Sequence, residues 1–535
     1  MKKRILSLAL VGAFIVGTFT ACTPTNEPEE TPPVATGETT PTPTLIPPHS
    51  PNVAAPTEPQ PPSEARGALI MATANETPSI APGRHNAAAG SMKNFMTHSQ
   101  LFRAHYDTLE VLPYLVAEWT ALSDILFEFR LHEGVLFHNG EELTAYDVVA
   151  SHHYMRNYPD TRTAHLSALA AEVVDRYTFT IYTGTPNAAL FFDLLHQGNS
   201  ILPKSLIESG HDFTVNPIGS GPFVFEDWQF GDSISFRAFD NYFDTDRAAR
   251  IEEVTFRIIP EGSSRTIALE TGEVDYIIEI AYADVPRMQE HPDITVYMRP
   301  GTAFHHLVLN NSLPQFENIY ARRAINMAID QEALVAVAFE GLAIPIRAQV
   351  PTVFAGTTAE GALPFDPEGA RALLAEQGID PETLGFEMIA STEERRRMGE
   401  VVQAQLAEIG IPTTIIMMDH ATTLARMNDG EYETGFGMWS ASFLISTLRG
   451  VLYGPLENRS RVFNDEIDEL MRQGIATIDT GARNAIFEEL SRVANAYAPN
   501  VPTHLNMHIR AFNSNLVVPE ISPVFLHVNM FYWTE

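Results

Sequence analysis

The sequence predicts a large α/β protein, and three observations carry that expectation. Most of the 535 residues lie beyond Arg66, and the chain is 45% hydrophobic and 19% charged, enough for a sizeable core. Strand and helix patterns alternate most clearly between residues 306 and 440, as a sheet covered by helices requires. No internal repeat and no second low-complexity segment interrupts the body. At roughly 100–200 residues per domain, two or three domains are expected.

The elements follow in chain order. Met1-Lys2-Lys3-Arg4 is a cationic start, and the run from Ile5 to Ala21 carries no charge. It falls short of the roughly 20 apolar residues of a spanning helix. Cys22, the only cysteine, stands at its end. That layout reads as a secretory signal, residues 1–22. Residues 23–66 are rich in Pro, Thr and Glu with hardly an apolar cluster, and are expected to be a disordered tether. Phe127, Phe129 and Leu131 alternate on one face of a strand, and Asn139-Gly140 is a turn. Thr144 with Asp147 three residues on opens a helix. Ile234–Ala238 and Val254–Ile258 alternate as half-buried strands. Ala321, Ala324, Ile325, Ala328 and Ile329 recur at helix spacing, which puts Arg322 and Arg323 in solvent or in salt bridges. Asp366-Pro367 starts a helix with Gly378 past its end. Met398, Val401, Val402, Leu406 and Ile409 form the inner face of another, which ends at Gly410.

Composition excludes several classes. The formal net charge is −33, so phosphate backbones would be repelled and nucleic acid is not a partner. Beyond Cys22 neither a disulfide nor a thiolate metal site is possible. The chain has no G-x-S-x-G elbow, no P-loop and no H-E-x-x-H pattern. No catalytic residue, cofactor or metal site is therefore expected.

Ala21-Cys22 resembles the bacterial lipoprotein cleavage box, which implies lipidation of Cys22 and an anchor on the extracytoplasmic face of the cell membrane. The body resembles the solute-binding proteins of ABC importers, in the class with peptide- and nickel-binding members. The likeness lies in Leu112 to Trp119, in Phe129 to Asn139-Gly140 and on through Thr144 to Val149, and in Gly219-Ser220-Gly221-Pro222-Phe223. It continues through Asn241-Tyr242-Phe243, Gly272-Glu273-Val274-Asp275, Arg322 to Asp330, Phe365-Asp366-Pro367-Glu368 and Ala498-Pro499. The blocks come in the family's order over nearly the whole body.

This resemblance implies the two-lobed periplasmic-binding-protein (type II) fold with an extra inserted subdomain. Lobe I would be 67–98, 218–304 and 504–535, the insertion 99–217 and lobe II 305–503, with a hinge near 305 and 503. It further implies a monomer that closes on a solute and delivers it to ABC permease subunits with a separate ATPase. Asp429-Gly430-Glu431 leading into Met438-Trp439 looks like the family's ligand loop. Trp439 is the foremost contact residue, with Met438, Ser442, Phe304, His305 and His306 as further ligand-binding residues. Peptide-binding members often carry Asp three residues after this Trp, where this chain has Ser442. They also carry an Arg shortly before the helix at Met398, where Met388 to Thr392 is uncharged. Arg395, Arg396 and Arg397 are expected on that helix's solvated face. A peptide or peptide-like solute is the first expectation; a sugar oligomer or metal chelate is the alternative. An exported hydrolase or a surface adhesin is the rival from another class.

Overall fold

The computed structural model describes residues 67–77, 79–84, 88–105, 110–157, 168–440, 444–453, 459–519 and 526–534. All belong to the unit Pro59–Glu535. The signal run, Cys22, the tether and Ser442 lie outside the described residues.

Local signals act where the sequence has them. Thr144 caps the helix Ala145–Asn157, its N–H and hydroxyl donating to Asp147 Oδ2 at 2.8 and 2.7 Å. At Asn139-Gly140, Gly140 takes φ +85 and the Glu141 N–H donates to Asn139 Oδ1. Asp366 caps Pro367–Glu376 by accepting from the Gly369 N–H at 2.8 Å. The helix Glu393–Glu408 starts before its apolar periodicity because Thr392 caps it.

Arg322 corrects the expectation for its helix, Ile319–Ala328. It is 1% exposed. Its guanidinium donates to the carbonyls of Phe316, Glu317, Tyr497 and Ala498 and lies over the Tyr497 ring. Arginine's five-donor fork suits several carbonyls at once, so the helix face turned toward the tail of Thr480–Tyr497 holds a cation. Arg323 likewise donates to a carbonyl, that of Ala496.

The strands of the main sheet number 11. Their order is Thr413–Met417, Phe386–Ala390, Thr434–Ser440, Ile294–Leu309, Asn500–Asn513, Tyr276–Ile277, Ala68–Thr73, Glu253–Ile258, Ser233–Ala238 and Phe223–Gln229. Ala343–Pro345 adds to the side of Asn500–Asn513. Parallel pairs need a crossover. Gly262–Glu270 provides one between Glu253–Ile258 and Tyr276–Ile277, and Glu393–Glu408 another between Phe386–Ala390 and Thr413–Met417.

Two strands are unusually long, Ile294–Leu309 and Asn500–Asn513, and run antiparallel to each other. Ile294–Pro300 and Met507–Asn513 sit beside the strand group that includes Tyr276–Ile277, while Phe304–Leu309 pairs with Thr434–Ser440. The register shifts between Pro300 and Phe304 and again between His305 and His306. Such irregularities raise local twist and re-aim side chains. Separate apolar clusters flank them: Leu69, Phe236, Phe256 and Tyr276 in one, Leu307, Ile325, Leu406 and Phe436 in another.

Four further strands form an antiparallel sheet, ordered Val116–Ser123, Leu126–Leu131, Thr178–Tyr182, Ala170–Val173. The expected alternation holds, with Phe127, Phe129 and Leu131 buried. Phe129 stacks on Phe179 with centroids 5.4 Å apart. Full burial of each such ring contributes about 1.5–3 kcal/mol.

Candidate functional site

The residues singled out in the sequence converge on neighbouring strands. In Thr434–Ser440, Gly437 is required by close approach: a Cβ there would lie 2.6 Å from Val308 Cγ2. The strand therefore runs tight against Ile294–Leu309. The register makes two cross-strand rows. Met438, His305, His504 and Pro345 form one; Trp439, Phe304, Leu505 and Ile344 form the next.

Successive side chains point to opposite faces, so the predicted contact set is divided. Phe304 and His306 share one face, with ring centroids 5.1 Å apart, and both are fully buried. The His306 imidazole Nε2 meets the Gln349 carbonyl at 2.9 Å. Trp439 packs at the border of the same cluster, half-buried, with the Arg459 guanidinium 5.3 Å from its ring. Phe304 and His306 thus form the packed floor under Trp439 and present no surface to a solute.

The opposite face carries Met438, 44% exposed, beside His305. His305 stacks on His504 with centroids 4.2 Å apart and planes 12° from parallel. Phe339 covers the other side of His504, also at 4.2 Å. Burial lowers the pKa of all three imidazoles: to about 4 in His306, to about 3 in His504, and well below the ordinary value in His305. They are neutral at pH 7, each with one ring donor and one ring acceptor. Among the described residues, Nε2 of His305 and Nε2 of His504 have no hydrogen-bond partner.

Arg395 corrects the expectation of a solvated face. It is half-buried, donates to Ser391 Oγ at 2.6 Å, and its charge acts on both His305 and His504. Burial lowers its own pKa. Arg396 does pair in solvent, with Glu393 and Glu400. The helical start at Thr392 makes the difference, because it turns Arg395 inward and Arg396 outward. Sequence reading missed His504 and assigned Arg395 to solvent. His504 was recoverable only by knowing which residue pairs with His305. Among the described residues, no three His, Cys, Asp or Glu side chains gather as they would round a metal ion.

Residues 110–446 match the family described as bacterial extracellular solute-binding proteins, family 5. The chain belongs to this family. Its work is binding a solute outside the cytoplasm, not chemical turnover. Heme-binding protein A of Haemophilus influenzae is 26% identical over 446 residues, covering 76% of this chain and 81% of that protein. Glutathione-binding protein GsiB of Salmonella typhi is 26% identical over 423 residues, covering 75% and 82%. Two solved structures share the fold. DppA of Helicobacter pylori in complex with peptide STSA matches with TM-score 0.77 at 22% identity, over 88% of this chain and 99% of that one. The substrate-binding protein CtaP of Listeria monocytogenes matches with TM-score 0.79 at 20% identity, over 88% and 100%. The fold is accordingly that of the periplasmic binding proteins. Among the described residues, no helix is long and apolar enough to cross a membrane.

Proposed function

We propose that this solute-binding protein captures a peptide or peptide-like solute and delivers it to an ABC permease driven by a separate ATPase. One observation carries the reading. On the face that carries Met438, 44% exposed, the charge of Arg395 acts on His305, while Trp439 packs on the other face of the same strand. A guanidinium on an open face suits a carboxylate. The relatives named for glutathione and solved with a peptide support this solute class. A sugar oligomer would leave the Arg395 charge offset only in part, by Glu394. Ser442 is part of the same proposed loop.

The working parts are proposed as lobe I over 67–98, 218–304 and 504–535, the insertion over 99–217 and lobe II over 305–503. The register shifts between Pro300 and His306 are then the hinge, where bending concentrates. Lipidation of Cys22 would hold the body to the outer face of the membrane through the tether of 23–66.

Mass spectrometry of the natively purified protein tests the solute class: a peptide or glutathione-like compound is expected. Adding that compound back should raise the melting temperature. A hundredfold excess over Kd adds about 2.7 kcal/mol. Recovery of a neutral sugar, or chemical conversion of the solute, overturns the proposal.

A further inference from the structure

We propose that the helix Ala189–Asp193 in the insertion is a latch. It closes on the helices Asp465–Ala476 and Thr480–Tyr497 and thereby holds the clamp shut. This rests on the solute-binding reading above.

The short helix has two allegiances. Phe191 ties it to the insertion, with ring centroids 5.4 Å from Phe102, 5.7 Å from Phe127 and 4.7 Å from Trp119. Leu190 is buried in the same insertion cluster, whereas the start of the helix belongs to the opposite side. Ala188 and Ala189 are both buried in the apolar cluster of Met471, Phe487 and Leu490. The Ala188 N–H donates to the Ile475 carbonyl at 2.8 Å. Phe192 packs against both clusters, and the Arg483 guanidinium lies 5.8 Å from its ring, within cation–π range. Arg483 is itself positioned by the Ile478 carbonyl at 2.9 Å and Thr480 Oγ1 at 3.2 Å. Ile478 reaches back into the insertion's cluster.

The chemistry of this contact suits a fastening that opens. Among the described residues it includes a backbone hydrogen bond, a ring–cation contact and an apolar seam to which the latch contributes Ala188 and Ala189. Alanine has no rotamers to freeze on docking, so forming and breaking the seam costs little side-chain entropy. Ala188 precedes the first long strand and Ile475 lies between the two, so the contact bridges segments that the chain joins through those strands. Trp439 packs against the cluster it completes, on the reverse face of the strand that carries Met438. Opening the latch therefore loosens the support behind the proposed site, which couples solute entry to undocking of Ala188–Phe192.

A cysteine pair tests this in the full chain. With Cys22→Ser the protein has no other cysteine, so Ala188→Cys with Ile475→Cys offers a single possible disulfide. Hydrogen exchange and small-angle scattering are read without solute, so failure of the latch is distinguishable from failure of the binding reading. In the reduced form, amides of 188–193 and 475–483 should exchange at least about tenfold faster than in the oxidised form. The radius of gyration should also be larger. Exchange in Leu126–Leu131 and Phe386–Ala390 should be equal in both, which reports an intact fold. Equal exchange at 188–193 in the two forms, or no disulfide under oxidation, overturns the proposal. Ala188→Pro is the second variant. The Ala188 φ of −67 accepts proline, which removes only the donor. It should enlarge the radius as reduction does; an unchanged radius also overturns the latch.

Discussion

Trp439 and Arg395 belong to opposite faces of the same strands, a packed one and a charged one, and substitution separates the two. The Trp439 ring is half-buried, with its indole N–H unpartnered among the described residues and Arg459 close to its face. Trp439→Ala should lower the melting temperature and weaken solute binding less than Arg395→Met does. Calorimetric titration beside thermal unfolding checks this; a tenfold loss of affinity, roughly 1.4 kcal/mol, at unchanged melting temperature would put Trp439 against the solute. Arg395 makes one short bond to Ser391 and its charge acts on two neutral imidazoles. Arg395→Met removes a desolvated charge that Glu394 offsets only in part, so the protein should keep its stability. A hydrogen bond to a charged group is worth about 1.5–3 kcal/mol, so affinity for an anionic solute should fall roughly ten- to hundredfold. The same variant bound as tightly as wild type would remove Arg395 from the site.

Elements were legible where the signal is local. Thr144–Asp147, Asn139-Gly140 and Asp366-Pro367 act through bonds that span a few residues, so the sequence alone locates them. The site was legible only in part. Met438, Trp439 and His305 do fall on neighbouring strands, but the division of Phe304 and His306 from His305 follows from strand alternation. The partner His504 depends on pairing across most of the second half of the chain. Arg322 shows the same limit at the scale of a helix. Amphipathic spacing identified the buried face, but not that a guanidinium would cap carbonyls from Phe316 to Ala498. Arg322→Met keeps the length and leaves four carbonyl oxygens short of a donor. The expected cost is about 3–5 kcal/mol, as for other buried charged networks that lose one member. Urea unfolding measures it. A loss below about 1 kcal/mol would mean that water replaces the guanidinium.

At the scale of the molecule, address and acid sensitivity are both open to measurement. If Cys22 carries the lipid, Cys22→Ser should move the protein from the membrane to the soluble fraction of the host; continued membrane partitioning would reject the anchor. Acid sensitivity follows from histidines kept neutral by burial. The pKa is lowered to about 3 in His98, His504 and His527 and to about 4 in His138, His152, His306 and His508, while His305 lies well below its ordinary value. Desolvation is the largest cause in each. The unfolded chain binds these protons from about pH 6.5 downward and the folded chain does not, so their contribution is complete above pH 6.5 and drains away as pH falls toward 4. Each such histidine changes stability by about 1.4 kcal/mol per pH unit in that window. Against a total stability of about 5–15 kcal/mol, several acting together should unfold the protein within roughly two units below pH 6.5. His98 and His138 act on each other electrostatically, and the His138 imidazole contacts the Gly221 carbonyl at 3.0 Å. His305 and His504 sit in the two long strands, so protonation there strikes the proposed hinge. Urea midpoints measured from pH 7.5 to 4.5 should be flat above pH 6.5 and fall steeply below it, with net proton uptake on unfolding. A midpoint that stays constant down to pH 5 would show that water reaches these imidazoles in the folded state.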